Sequence, residues 1–530
     1  MSFFSRAFGL FMFFVIPAYF LVPRKYQWVC LLIASYVFYA CGGLGSTFFL
    51  IATTVIVYYA ALLLEKQSII PAEQAKEINA EQKKAERALR QRRKRRIVTG
   101  TIVLVIGTLA VVKYGEFIFE NLNHLLGFVG IDTQLTIPNL LKPLGISYFT
   151  LQAIGYLIEV YRGKAKAEHS LPRFALYISY FPQVIQGPFS KYQDLTKTLY
   201  GPHSWDYRRV RSGALRILWG YFKKLVVAMR VGILFDYVMG RHMDPTAGGV
   251  VIFLTFLLYG FQVYADFSGG IDITLGISEI FGIEVAENFR RPYFARSVAE
   301  FWQRWHMTLG AWMRNYVFYP LALSKPFNTL SKKIRSVFGA HAAKIIPTSI
   351  ASFFVFLLVG IWHGTGYKYV AYGLYQAIFV SSATLLEPFY ARCRSRLHIP
   401  ENNKIFILFQ MLRTLLLITL GRYLSVANSL RGALRLYKYT FTRGLCLNML
   451  ADWEVTFGLG IPDTVCLFVA IFIMLAVDFI NEKDICIRER VLNAKTPARW
   501  AFYLVALYAI IIFGMYGKGF NASAFIYERF

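Results

Sequence analysis

Apolar runs recur along this chain too often and at too great a length for a water-soluble core to absorb them. Gly9–Val22, Trp28–Ala40, Thr47–Leu64 and Ile97–Val112 follow one another closely, and each is near or at the ~20 residues that a helix needs to cross a bilayer. The 530 residues are 56% hydrophobic with a mean hydropathy of +0.45, which argues against a soluble enzyme of several domains. The first run is followed by no clear small-residue cleavage site, and two further runs come almost at once, so it reads as a span and not as a signal peptide. The expectation is an all-α polytopic membrane protein.

The formal net charge of +28 does not imply nucleic acid, because the basic residues fall mostly between apolar runs. Membrane proteins gather Lys and Arg in cytoplasmic loops, and anionic lipids are the partners such loops meet. The six cysteines, at 30, 41, 393, 446, 466 and 486, show neither CxxC nor Cys/His spacing, so neither a metal site nor a disulfide framework is expected.

Glu65–Arg96, ending RQRRKRR, is helix-favouring and highly charged. It is expected as a cytoplasmic loop, which puts the N-terminus outside. Residues 97–119 then cross outward and 144–161 cross back. Residues 172–190 are apolar but hold Pro182, Gly187 and Pro188. They read as a re-entrant segment, since broken backbone at membrane depth survives only when protein or a cavity surrounds it.

Further crossings are expected at 212–238, 249–267, 346–362, 367–388, 405–422, 461–480 and 499–517. The total is about 11–12, with both termini extracytoplasmic. Gly421–Arg443 fits this topology least well, being a basic loop that comes out extracellular. The rival functional class is a transporter or flippase of a lipid-linked glycan. It would more often show an internal repeat or charges embedded in several spans, and neither is apparent.

Three stretches carry chemistry. FWQRWHMTLGAWMRNYVFYP (301–320) holds three tryptophans and a histidine. At helical spacing Trp302, Trp305, His306, Leu309, Trp312, Met313 and Tyr316 share a face, with Gln303, Arg304, Gly310 and Arg314 towards the other. The reading is an interfacial amphipathic helix; its histidine is either a satisfied core residue or a site residue. LLVGIWHGTGYKYV places His363 at the end of an apolar span beside Trp362 and three glycines. An ionisable group there is costly to desolvate and is usually functional, and burial favours the neutral form that accepts a proton. In VYADFSGGIDITLG, Asp266 and Asp272 stand where a span is expected to end, either capping a helix or positioning a site. No GxSxG, P-loop, GxGxxG or HExxH occurs, so an enzyme built this way uses buried histidine without a metal.

PLGISYFTLQAIGYLIEVYRG (143–163), YFPQVIQGPFSKY (180–192), YADFSGGIDITLGISEIFGI (264–283), FWQRWHMTLGAWMRNYVFYPL (301–321) and VGIWHG (359–364) occur in that order. Together they resemble the membrane-bound O-acyltransferase (MBOAT) family. The nearer branch is the alginate O-acetyltransferase membrane subunit, and the teichoic-acid D-alanylation membrane subunit is more distant. The resemblance implies one MBOAT domain over 1–530, with re-entrant and interfacial helices around a central tunnel and a catalytic core at 264–364. His363 then matches the family's catalytic histidine and His306 its second histidine. Trp302, Trp305, Arg304, Trp362, Asp266 and Ser268 would line or position the tunnel.

By the same resemblance, an acyl group, most often acetyl, passes from a cytoplasmic thioester to hydroxyls of an extracytoplasmic polysaccharide or cell-wall polymer across a bacterial cell membrane. No cofactor is tightly bound; the donor, acetyl-CoA or an acyl carrier protein, is a substrate. An extracytoplasmic esterase-like transferase is the expected protein partner. His363 would take the hydroxyl proton, and an N–H of Trp362 or His306 would face the oxyanion. The ending FIYERF, in an extracytoplasmic tail at 519–530, resembles a family ending whose tyrosine relays the acyl group. Tyr527 is either that relay or an interfacial anchor. Gly270, Ile271 and Asn315 depart from common family residues, which leaves the acceptor open.

Overall fold

The computed structural model describes residues 2–68, 79–131, 133, 135–136, 143–241, 248–400, 402–444 and 453–517. Tyr527 and the tail expected at 519–530 lie outside the described residues. Among the described residues the secondary structure is helical, without strands. Two compact units are distinguished: 1–210 with 277–286, and 211–276 with 287–530.

The first unit contains α1 (Arg6–Leu21), α2 (Gln27–Ala40), α3 (Leu44–Lys66), α4 (Ala80–Phe128), α5 (Ile146–Tyr161), α6 (Leu171–Ser179) and α7 (Tyr192–Leu199). Helix starts follow from local chemistry. The Ser5 hydroxyl accepts from the Phe8 N–H. At α4 the Asn79 side chain accepts from the Gln82 N–H while the Gln82 side chain accepts from the Asn79 N–H, a reciprocal cap of the first turn. The basic run up to Arg96 is therefore no separate loop: from Ala80 it is the start of the same 49-residue helix that carries the next apolar run.

After α6 the backbone breaks at 180–190, where proline and glycine interrupt helical bonding. The break is buried and its polar groups are met by side chains. Tyr148 and Tyr177 hydroxyls donate to the Pro188 and Ser190 carbonyls, the Phe181 N–H donates to Ser35, and the Gln183 amide donates to the Ser190 hydroxyl. Irregular backbone is tolerable here because protein surrounds it.

The second unit begins within α8 (Tyr207–Tyr221), which runs through a π-helical turn at Phe222–Ala228 into α9 (Met229–Arg241). It continues with most of α10 (Gly249–Phe281), then α11 (Val298–Arg304), α12 (Met307–Met313), a second π-helical turn at Arg314–Phe318, α13 (Tyr319–Ala322), α14 (Lys325–His363) and α15 (Tyr367–Leu385). The rest is α16 (Glu387–Arg396), α17 (Lys404–Val426), α18 (Leu430–Thr442), α19 (Trp453–Phe457), α20 (Ile461–Glu482), α21 (Ile487–Leu492) and α22 (Thr496–Phe513). Gly421–Arg443, expected as a loop, is mostly helix, the end of α17 and all of α18.

Seven described helices are long and apolar enough to cross a membrane: α3, α4, α10, α14, α17, α20 and α22. The number rises to eight if α15 and α16, bent by 57°, form one span. Among the described residues this measure counts fewer helices than the 11–12 crossings expected. Helices α1, α2 and α5 have 16, 14 and 16 residues, about 24 Å or less at 1.5 Å per residue, short of the ~30 Å hydrocarbon core. The run over 212–238 is interrupted by buried Lys223, Lys224 and Arg230.

Helices α8 and α10 approach closely because glycines face each other. A Cβ on Gly220 would stand 2.5 Å from the Gly269 carbonyl oxygen, and one on Gly276 would stand 2.6 Å from that of Gly213. Small residues let membrane helices pack backbone to backbone. This contact brings the lysines of the first π-helical turn onto the aspartates of α10.

Candidate active site

The aromatic stretch at 301–320 is not one helix. It breaks between α11 and α12, where Trp305 is extended and His306 has φ +47°, in the left-handed region. That conformation is unfavourable for a residue with a side chain, and a facing segment holds it. The Arg290 N–H donates to the Arg304 carbonyl and the Met307 N–H to the Asn288 carbonyl, at 2.8 and 2.9 Å. The single face expected from helical spacing is therefore lost: turning at residue 306 separates the side chains before it from those after it.

Asn288, 0% exposed, determines what His306 can do. Its Oδ1 accepts from the Thr308 N–H at 3.1 Å and the Thr308 hydroxyl at 2.8 Å, and lies 3.2 Å from His306 Nδ1. The backbone N–H can only donate, so the atom facing it is the amide oxygen. His306 Nδ1 consequently carries the proton in the neutral ring, and Nε2 holds the basic lone pair. The expectation that a His306 N–H faces an oxyanion does not hold for this tautomer, because that N–H is turned to Asn288. Burial, and after it the positive charge that His363 can carry nearby, hold the imidazole well below the usual histidine range.

The two histidines, far apart in sequence, are brought together around Trp362. The His306 and Trp362 rings lie 6.2 Å apart between centroids, and Trp362 and His363 lie 5.1 Å apart. Phe267 of α10 meets His306 edge-on at 4.9 Å, and Tyr372 of α15 meets His363 at 6.1 Å. His363 is the last residue of α14. The glycines around it admit protein: a Cβ on Gly360 would be 2.4 Å from the Tyr369 carbonyl oxygen, and one on Gly364 would be 2.3 Å from the Tyr369 ring. They thus fix α14 against α15 and so hold His363 in place.

The other expected site residues have distinct settings. The Trp302 Nε1–H donates to the Gln376 side-chain oxygen at 3.1 Å. Trp305 is buried, stacked on Phe301 and edge-on to Phe289. Arg304 is held by Glu482 at 3.0 Å and Glu300 at 2.7 Å. Asp266 and Asp272 cap nothing, since α10 runs on through both to Phe281. Asp266 pairs with Lys224 at 2.5 Å; Asp272 pairs with Lys223 at 2.5 Å and Arg216 at 3.0 Å. Ser268 accepts from Lys223 and donates to the Tyr264 carbonyl. Tyr264 in turn donates to Asp478 at 2.9 Å. Charges do therefore stand within apolar helices, contrary to expectation, but opposite charges neutralise them. The adjacent lysines Lys223 and Lys224 inside an apolar run were the sequence signal for this network; Asn288 had no comparable one.

A cavity of about 810 Å³ adjoins the network, lined among others by Ser268, Asp272, Met307 and Asp478. Neither histidine lines it, nor do Trp302, Arg304, Trp305, Trp362 or Asp266. No group of three or more metal-ligating side chains is assembled among the described residues.

The model of the membrane-bound O-acyltransferase family matches residues 164–420, which include both histidines. A Pseudomonas aeruginosa protein named probable alginate O-acetylase AlgI is 28% identical over 441 residues, 82% of this chain and 74% of its own length. Over residues 164–420 the chain is similar to the membrane-bound O-acyltransferase family. A peptidoglycan O-acetyltransferase of Helicobacter pylori is 28% identical over 53% of this chain and 54% of its own. A teichoic acid D-alanyltransferase of Bacillus subtilis is 28% identical over 47% of this chain and 60% of its own. This chain is accordingly a multi-pass membrane O-acyltransferase, and the names of these relatives refer to alginate, peptidoglycan and teichoic acid.

Proposed function

We propose that this acyltransferase moves an acetyl group from a cytoplasmic thioester to hydroxyls of an extracytoplasmic polysaccharide or cell-wall polymer. The observation that carries the reading is the meeting of His306 and His363 around Trp362, inside the family-matched region. Acetyl is favoured over D-alanyl because the alginate-type relative covers far more of this chain than the teichoic-acid one.

His363 is the base. Its imidazole takes the acceptor hydroxyl proton as the oxygen attacks the thioester carbonyl carbon. The C–O bond forms, the C–S bond breaks, and the departing sulfur leaves as a thiol once it has received the proton. His306, neutral and fixed by Asn288, offers the Nε2 lone pair to a donor group of either substrate and orients it. Trp362 stands beside both rings. The acceptor polymer, acetyl-CoA or a carrier protein as donor, an extracytoplasmic esterase-like partner and relay through Tyr527 belong to the same proposal.

The test incubates purified protein with radiolabelled acetyl-CoA and, separately, acetyl-loaded carrier protein, and follows label into polymer. His363→Ala is expected to lower transfer at least ~10²-fold, the typical contribution of a general base, with membrane insertion and melting unchanged. Near-wild-type transfer by that variant overturns the assignment. Label transferred from D-alanyl carrier protein but from neither acetyl donor overturns the acetyl reading alone.

A further inference from the structure

Four cationic side chains are buried among the described residues, all in the second unit: Lys223, Lys224, Arg230 and Arg422. The first three each face a carboxylate, Asp272, Asp266 and Asp463 in turn. Arg422 of α17, 7% exposed, forms no ion pair among the described residues. Its Nη2 donates to the Tyr293 hydroxyl at 3.1 Å, and among the described residues its Nη1 has no hydrogen-bond partner. A guanidinium cannot shed its charge, and a buried charge left unpaired is strongly destabilising. Charges kept within apolar spans face the bundle interior and mark substrate paths.

Arg422 shares one face of α10 with His306. Along that face a Cβ on Gly249 would meet the Thr440 carbonyl, Phe256 stacks on Tyr423 at 3.8 Å, a Cβ on Gly260 would meet the Arg422 guanidinium, and Phe267 meets His306 edge-on at 4.9 Å. Steps of seven, four and seven residues keep these positions in line. The guanidinium thus lies seven residues, about 10 Å, along α10 from the level of His306. Gly421, beside it, packs on Gln376 and Tyr375 of α15. One turn before Gln376 stands Tyr372, which meets His363. The connections at 325–344 and 386–404 carry nine Lys and Arg, against five at 364–368 and 427–443, a bias that marks the first pair as cytoplasmic. Arg422, four residues before the end of α17, therefore lies towards the opposite face. An acceptor entering there passes it before reaching the histidines.

We propose that Arg422 is a specificity-determining residue that binds one singly charged oxyanion of the acceptor polymer, a carboxylate or a phosphodiester. Its Nη1 supplies a charge-assisted hydrogen bond, and the incoming anion completes the one buried charge that the described fold leaves unmatched. Anchored there, the acceptor presents a nearby hydroxyl towards His363. The inference rests on the acyl-transfer reading for the identity of the acceptor.

The full chain in phosphatidylcholine nanodiscs is titrated by calorimetry, without donor, with three probes: a hexuronate tetrasaccharide, its carboxyl-reduced counterpart and a glycerol-phosphate oligomer. Wild type is expected to bind one of the charged probes at least ~10-fold more tightly than the reduced one, the scale of a hydrogen bond to a charged group. The charged probe that binds identifies the anion as carboxylate or phosphodiester. Arg422→Gln is expected to erase that preference while leaving affinity for the reduced probe unchanged, and Arg422→Lys, which keeps the charge, to retain part of it. Equal affinity of wild type for charged and reduced probes overturns the proposal, and needs no variant to fold. A loss in Arg422→Gln that is equal for charged and reduced probes makes the arginine structural and also overturns it. Displacement of the charged probe by acetyl-CoA assigns Arg422 to the donor, and displacement by inorganic phosphate at equal affinity assigns it to a free anion; either overturns the acceptor assignment. Acetyl transfer to the same probes is assayed separately, so charged probes that bind but accept no acetyl group count against the acyl-transfer reading and not against the binding role of Arg422.

Discussion

Lys224 and Asp266 offer a sharp test of what the charged network does. Their side chains are each 3% exposed and 2.5 Å apart. Lys223, the neighbouring ammonium, is engaged by Asp272 at 2.5 Å and by Ser268 at 2.7 Å, so moving it to Asp266 would leave Asp272 with Arg216 alone. Lys224→Met keeps most of the side-chain volume and leaves a carboxylate without its ammonium in a buried setting. Breaking such a pair from one side costs about 3–5 kcal/mol, whereas replacing both members is far cheaper. Asp266→Asn should cost a similar amount by leaving the ammonium buried. The double variant should recover much of the loss, giving a coupling energy of about 2–4 kcal/mol, well outside the ~0.5 kcal/mol scatter of independent sites. Reversible unfolding of the four proteins in mixed micelles measures the cycle, with acyl transfer assayed in parallel. Additive costs would refute the ion-pair reasoning. A Lys224→Met protein of full stability but without activity would move the pair into the chemistry.

Three further outcomes follow from the site. His306 should stay neutral as pH falls below ~6.5, the ordinary histidine value. Burial and the charge of His363 both disfavour its protonation, so proton uptake needs a lower pH; an NMR titration of the His306 ring with its midpoint at or above ~6.5 contradicts this. Asn288→Ala removes the oxygen that orients His306 and should lower kcat about tenfold with KM little changed, the equivalent of one hydrogen bond of ~1.4 kcal/mol. A raised KM with unchanged kcat would instead make Asn288 a binding residue. Tyr527→Phe keeps the ring and removes the hydroxyl, so relay predicts near-complete loss of polymer acylation with donor binding intact, and full activity eliminates it.

Much of this protein was legible in linear order. Apolar run length sets the membrane class, because a bilayer demands ~20 apolar residues wherever a helix crosses. The motif around His363 marked a candidate functional histidine, because a titratable group at the end of an apolar span is costly without a role. Periodicity over 301–320 misled, since a 3.6-residue repeat assumes an unbroken helix. The break at His306 is made by hydrogen bonds to Asn288 and Arg290, which a pattern within 301–320 does not contain. The crossings expected outnumber the described helices that pass on length and composition for a related reason: hydropathy does not distinguish apolar residues facing lipid from those of α5, which are buried in protein. Only tertiary structure could show Asp266 and Asp272, expected either to cap a helix or to position a site, as ion-pair partners. That outcome depends on α8 meeting α10 at Gly213, Gly220, Gly269 and Gly276, where the absence of side chains lets the backbones touch and carries Lys223 and Lys224 onto the aspartates. Composition and spacing act within a segment, whereas the tautomer of His306 and the neutralised charges of α10 arise between segments that meet only in the folded chain.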